Sequence, residues 1–283
     1  MAIAAALGLA VSVLFVYASL LVIAEGSAAG ISGARGYLED AAAYLPASLA
    51  LYGVVLVMSC GIGVPLGVLL GSARLRVSAW VGMLLLVPLL SAPALWLAHL
   101  VIYAGVDRWE IPMIPMGEPA SGATHGLFAA APGWIGFWFV GVPAAVLSLM
   151  TGARLALDVA AAVRLRMRGA SMALLEARGL PRGWRLHRYA FPASAAAILD
   201  SMRRLFPPMV GASLVVEWIF SYPGLGNAAF EAARRGALTE VLALAALMAL
   251  AAVLWGFALD LAGAACNVDR RAEGDGSLEC EAG

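Results

Sequence analysis

The sequence predicts an all-α, polytopic membrane protein with about six transmembrane helices. Three observations carry this. The 283-residue chain is 63% hydrophobic and only 13% charged, where a soluble domain carries about 25% charged residues. Its apolar residues fall in runs of roughly 20 or more, long enough to cross a bilayer core. The runs near Val54, Leu85 and Leu244 also lack the repeating polar face of a soluble helical bundle.

The first predicted span is Ile3 to Ala24. No basic residue precedes it and it is long enough to span, so no cleavable signal is expected. Glu25 to Tyr44 is an interval with four charged residues among Gly and Ser breakers. The second span is Leu45 to Leu70, with Gly61, Gly63, Pro65, Gly67 and Gly71 in or beside its later half. Small residues there suit close helix packing, which drives association in lipid; contact with a ligand is the other reading. Ser72 to Ser78 is a short connection, and the third span is Ala79 to Tyr103. Gly105 to Gly133 is a polar, proline-containing loop, and Trp134 to Leu157 is the fourth span. Asp158 to His187 is a basic interval, and the fifth apolar segment runs from Tyr189 to Phe220. Ser221 to Thr239 is turn-rich, and Val241 to Ala264 is the sixth span. The chain thus divides into a membrane domain over 1–265 and a polar, acidic tail over 266–283, expected to be frayed.

All eighteen basic residues are arginines, and their distribution sets the orientation. With the chain starting inside, twelve arginines from Arg74 to Arg271 fall in inner segments, and only Arg35, Arg108, Arg234 and Arg235 in outer ones. The positive-inside rule favours this arrangement, with both termini cytoplasmic.

The basic interval is too charged for lipid and too long for a minimal link. Val159 to Leu175 is expected to continue the fourth span as a helix. Gly179 breaks it, Leu180-Pro181 starts a second short helix, and Gly183 interrupts again. A compact knob below the membrane results; a solvated loop held to anionic lipid by arginines is the alternative.

Asp200, Arg203 and Arg204 interrupt the fifth segment, and Pro207-Pro208 follow. Asp200 is placed to neutralise an arginine on its own helix face, and the prolines remove two backbone donors and should kink the helix. Charges in a span are functional candidates, so these three mark a pathway or inner gate; snorkelling to the interface is the competing reading. Glu217, near the outer end, either lines the outer mouth or pairs with Arg234 or Arg235. Tyr222-Pro223-Gly224-Leu225-Gly226 suits a turn back at the outer face, Pro fixing one dihedral and Gly allowing positive φ.

Ala177-Arg178-Gly179-Leu180, followed 38 positions after Gly179 by Glu217 in Val-Val-Glu-x-Ile-Phe-Ser-Tyr-Pro-Gly-Leu-Gly, resembles the inner-membrane permeases of bacterial ABC importers. Within these it resembles the dipeptide/oligopeptide/nickel family. Phe220 to Gly226 is similar to the first of the two paired permeases. The resemblance extends more weakly to Leu45-Pro46-Ala47-Ser48-Leu49, Gly63-Val64-Pro65-Leu66-Gly67 and Asp260-Leu261. It departs from the pattern in a first outer loop of about 20 residues, in Arg164 to Ser171 where an acidic-tyrosine run is usual, and in the closing Asn267-Val268-Asp269-Arg270.

The resemblance implies a permease subunit that forms half of a pathway for peptides or similar small solutes. It implies a cytoplasmic coupling-helix loop over about 159–188, whose glycine-containing part sits in a groove of a separate ATPase. The coupling residues are then Glu176, Ala177, Arg178, Gly179 and Leu180. Transport proceeds by alternating access, each ligand shifting the balance only by binding one state better. The implied partners are a second permease in a heterodimer, ABC ATPase subunits, an extracytoplasmic solute-binding protein and the lipid bilayer of the inner membrane; no nucleic acid is involved. ATP is bound by the ATPase, and this chain holds no cofactor. A nickel chelate or another non-peptide solute is the alternative cargo.

No Walker-type loop is present, since there is no lysine to place in one. His99, His125 and His187 are widely separated, and Cys60, Cys266 and Cys280 have no metal-ligand spacing. Neither a catalytic nor a metal site is expected, which leaves an intramembrane enzyme or a passive channel as remote alternatives.

Overall fold

The computed structural model describes residues 36, 39–73, 76–92, 94–109 and 133–279. Among them every regular element is a helix. In chain order these are α1 (Leu45–Ser72), α2 (Arg76–Ser91), α3 (Ala94–Trp109), α4 (Gly133–Met167), α5 (Ala170–Ala177) and α6 (Arg182–Arg185). A π-helical turn, Leu186–Ala190, leads into α7 (Phe191–Ile219), followed by α8 (Leu225–Arg234) and α9 (Leu238–Glu279). The predicted first span and most of the loop after the third lie outside the described residues.

Three stretches are long and apolar enough to cross a membrane: Glu39–Ser72, Phe139–Met167 and Leu238–Leu261. They correspond to the second, fourth and sixth expected spans. The third is not one helix. It is divided between α2 and α3 at Ala92, next to Pro93, because the residue before a proline is driven out of the α region. The fifth, α7, is 29 residues long but carries Asp200, Arg203, Arg204 and Glu217, so length alone qualifies it. Pro207 and Pro208 both lie inside α7, which continues through them. The segment expected to be a frayed tail is helical to Glu279.

The tightest packing is between α1 and α4. Gly63, Gly67 and Gly71 recur every fourth residue and lie buried along one side of α1. A Cβ at Gly67 would sit 2.6 Å from the Ala156 carbonyl oxygen, and one at Gly71 2.8 Å from that of Ala160. The two backbones therefore touch where no side chain intervenes, which maximises dispersion contacts where lipid offers no hydrophobic drive. By contrast Gly61 has open space around it, and Val57, Leu69, Leu84 and Trp96 are turned outward, as apolar side chains facing lipid would be.

The main core joins α1, α4, α7, α8 and α9 around Leu51, Tyr52, Leu147, Phe206, Met209 and Tyr222. Phe206 is its hinge piece, meeting Tyr52 edge-on at 5.8 Å and Trp255 of α9 in a stack at 5.2 Å.

Gly67→Ala should lower stability by about 1–3 kcal/mol through overpacking, whereas Gly61→Ala should leave it unchanged or raise it slightly, since Ala is the better helix former. Thermal unfolding of both variants in the same detergent checks the contrast.

Candidate functional site

At one end of the bundle the fold is closed by a buried carboxylate. α7 ends in a Schellman motif: Tyr222 N–H donates to the Glu217 carbonyl at 2.8 Å and Ser221 N–H to that of Trp218 at 3.1 Å. The left-handed residue such a cap requires is Ser221, at φ 49°. Gly224, expected to supply positive φ, instead has φ −111°. Its role is space. A Cβ there would stand 2.5 Å from Ser48 Oγ and 2.7 Å from Glu217 Cδ, and a Cβ at Gly226 would stand 2.8 Å from Leu214 Cα. The two glycines let the start of α8 press against α7 and α1.

The turn-rich segment thus contains a ten-residue helix, α8, and its N-terminus is where Glu217 points. Gly226 N–H donates to Glu217 Oε2 at 2.7 Å and Asn227 N–H at 3.4 Å. Leu225 N–H donates to Ser48 Oγ at 2.7 Å, and the Ser48 hydroxyl donates to Glu217 Oε1 at 3.2 Å. The first amides of α8, which have no partner within the helix, are capped by side chains from two other helices. A fully buried carboxylate is costly, and here it is offset by amide donors at the positive end of a helix. Glu217 is fully buried, so it does not line an open mouth. It does not pair with Arg234 or Arg235 either: Arg234 holds Glu231 at 3.2 Å and Arg235 holds Glu240 at 2.7 Å. The Tyr222 hydroxyl donates to the Ala47 carbonyl at 2.8 Å, and its ring stacks on Phe139 at 5.5 Å. Burial, and after it the Glu217 carboxylate, pushes the Tyr222 phenol above its ordinary value, so it remains a donor. Pro223 is buried beside it.

At the other end α4 and α7 are joined by a compact knob. The expected continuous helix from Val159 to Leu175 is broken: α4 ends at Met167 and α5 starts after Gly169, whose backbone is extended at ψ 158°. Gly179 does break the chain, at φ 76°. Its N–H donates to Glu176 O at 2.9 Å and Leu180 N–H to Leu175 O at 3.3 Å, a second Schellman cap. Gly183 interrupts nothing and lies inside α6. Arg185 is buried and joins the knob's two halves, donating to Glu176 Oε2 at 3.0 Å and to Met172 O at 3.3 Å. Glu176, Ala177, Arg178 and Gly179 are exposed, and Leu180 is half-buried against Met172 and Leu175. Leu174 and Trp184 are exposed apolar residues of the same knob. Arg182 donates to the Ser72 carbonyl at 2.6 Å and Arg164 to that of Leu70 at 3.2 Å, so arginines cap the free carbonyls of α1.

Asp200, Arg203 and Arg204 come together as expected. Asp200 pairs with Arg204 and lies 3.7 Å from Arg203, which also reaches Asp260 of α9 at 3.6 Å. All are half-exposed, so these pairs contribute little stability singly. Sequence reading missed Ser48, Arg164, Arg182 and Arg185. Only Ser48 carried a signal, lying in the short resembling run Leu45 to Leu49; Arg164 and Arg182 reach carbonyls 94 and 110 positions away, and Arg185 meets Met172 and Glu176 only because α6 folds back on α5.

These features define the class: an all-α, multi-pass membrane protein whose α4–α7 connection forms a knob outside the apolar helices. Residues 63–271, well over half of the chain, match the family described as binding-protein-dependent transport system inner membrane component. The chain belongs to that family, and is therefore an inner-membrane permease subunit of an ABC importer, a transport component that works with an ATPase and a solute-binding protein. No curated protein matches the chain.

Glu217→Ala should cost about 3–5 kcal/mol, because it strands buried amides and empties their pocket. Glu217→Gln, which keeps an acceptor oxygen, should cost less than half as much; chemical unfolding of both variants reads the difference. Ser221→Gly should raise stability by about 0.5–1 kcal/mol by relieving the left-handed serine, seen as a higher melting temperature.

Proposed function

We propose that this chain forms half of an importer pathway for peptides or similarly small solutes, paired with a second, related permease. A separate ATPase drives it through the knob between α4 and α7. The observation that carries the coupling assignment is the knob itself: two short helices meeting at Gly179, with Glu176 to Gly179 exposed at the tip and Leu174 and Trp184 turned outward nearby. An apolar pair rimmed by charges suits a protein groove, since such patches mark docking sites more often than bare surface. Glu176, Ala177, Arg178, Gly179 and Leu180 supply the contact. Arg185 holds the two helices in register, Arg182 ties the knob to α1 and Arg164 ties α4 to the same end of α1, so a push on the knob reaches the spans.

The knob faces the cytoplasm and the Glu217 turn faces outward, as the arginine distribution favours. Asp200, Arg203 and Arg204 belong to the inner mouth of the pathway. Glu217, Tyr222, Pro223, Gly224, Leu225 and Gly226 form the outer closure, with Glu217 acting as a latch and not as a gate surface. A solute-binding protein delivers cargo there, and alternating access moves it inward.

The test is recovery of the ATPase with the detergent-solubilised chain from its native membrane. Wild type should bring it down, and Gly179→Asp, which forces a side chain into a left-handed position at the tip, should reduce recovery about tenfold or more. Trp184→Ser, which leaves the turn intact, should weaken it in the same direction. Absence of an ATPase with wild type under mild conditions would count against the reading.

A further inference from the structure

Between α2, α4 and α7 lies a groove of about 330 Å³, lined among others by Met150, Thr151, Arg154, Asp158, Arg204 and Met209. Its volume is that of a small-ligand site, and its mix of apolar wall and few polar groups is the usual composition of one. The charges on it are not equivalent. Arg204 pairs with Asp200, and Arg203 reaches both Asp200 and Asp260 of α9, so the two arginines of α7 are matched by two carboxylates. Among the described residues Arg154 and Asp158 have no ion-pair partner, although both are charged and at least partly exposed.

The two stand one turn apart on α4, about 6 Å along its axis. Such pairs often join, but here the cation precedes the anion, the weaker order for a same-helix bond. The groove therefore presents a guanidinium and a carboxylate one turn apart, without an ion-pair partner among the described residues, toward the knob end of the apolar part of α4, and charges beside apolar spans are kept for use or for contact with water. A guanidinium is a fork matched to a carboxylate; a carboxylate takes an ammonium. We propose that Arg154 and Asp158 form a pathway subsite for a short zwitterionic solute, Arg154 taking its carboxylate and Asp158 its ammonium group. Met150 and Leu90, both half-exposed on the groove, supply an apolar wall for whatever side chain the solute carries, the methionine being the adaptable part. This rests on the importer reading and adds to it the residues that sense cargo charge.

The probe is a reporter thiol, Met150→Cys, in a chain whose Cys60, Cys266 and Cys280 are replaced by alanine, assayed in inverted native membranes. Two water-soluble methanethiosulfonates of opposite charge, a sulfonate and a quaternary ammonium, are compared. Dialanine is expected to slow labelling at least threefold, while its N-acetyl and C-terminal amide forms do not. Asp158→Asn should favour the sulfonate by about fivefold relative to the parent, and Arg154→Gln should favour the ammonium by a similar factor. Failure of both reagents to reach the reporter thiol with or without nucleotide means the groove is covered by lipid or another subunit, and overturns the proposal. So does a charge preference that neither substitution moves, or protection that ignores the blocked end of dialanine. ATPase recovery with wild type is scored separately: its loss condemns the importer reading, while its presence with unselective labelling condemns only the subsite.

Discussion

The N-terminus of α8 depends on side chains that do not belong to it. Its leading amides are taken by Ser48 from α1 and Glu217 from α7, and those two side chains also bond each other. Removing any one member leaves a buried donor or a buried carboxylate without its partner, so the arrangement is cooperative. It fixes three elements at one end of the bundle, and the Tyr222 hydroxyl on Ala47 O adds a second tie between the same turn and α1.

The opposite end of α1 is held by the same chemistry with the sign reversed. Its last carbonyls, unsatisfied within the helix, accept from Arg164 and Arg182. Cations at a helix C-terminus are favoured by its dipole, and one of these two belongs to the knob. Between its two ends α1 lies against α4 with glycine on carbonyl oxygen, a contact that leaves no slack for sliding. The pair α1–α4 is thus a rigid beam joining the Glu217 latch to the knob.

Against that beam the charges on α7 are loosely held. Asp200 serves two arginines, one of which reaches across to α9, through half-exposed side chains that water or a ligand can rearrange. The α1–α4 pair is thus stiff through close packing, while the half-exposed ion pairs of α7 can adjust.

The all-α membrane class, the knob, the break at Gly179 and the clustering of Asp200 with its arginines were all legible in the residues. Each depends on local composition or on spacing within one helix. The split of the third span beside Pro93, the helix α8 inside the turn-rich segment and the helical extension of α9 were not read, because local signals there were mixed. Glu217 shows the boundary most clearly. Its place near the end of a span could be read, but its partners could not, since Ser48 lies 169 positions away and the amides become partners only once α8 folds back. The glycines beside it looked like backbone hinges and are there for room. The sequence by itself determined that the chain is built of apolar helices and that it turns at Gly179, since hydropathy and φ preference are properties of neighbouring residues. Only the tertiary structure decided which charge is buried, which is capped and which is left free, because that depends on what the rest of the chain brings within hydrogen-bonding distance.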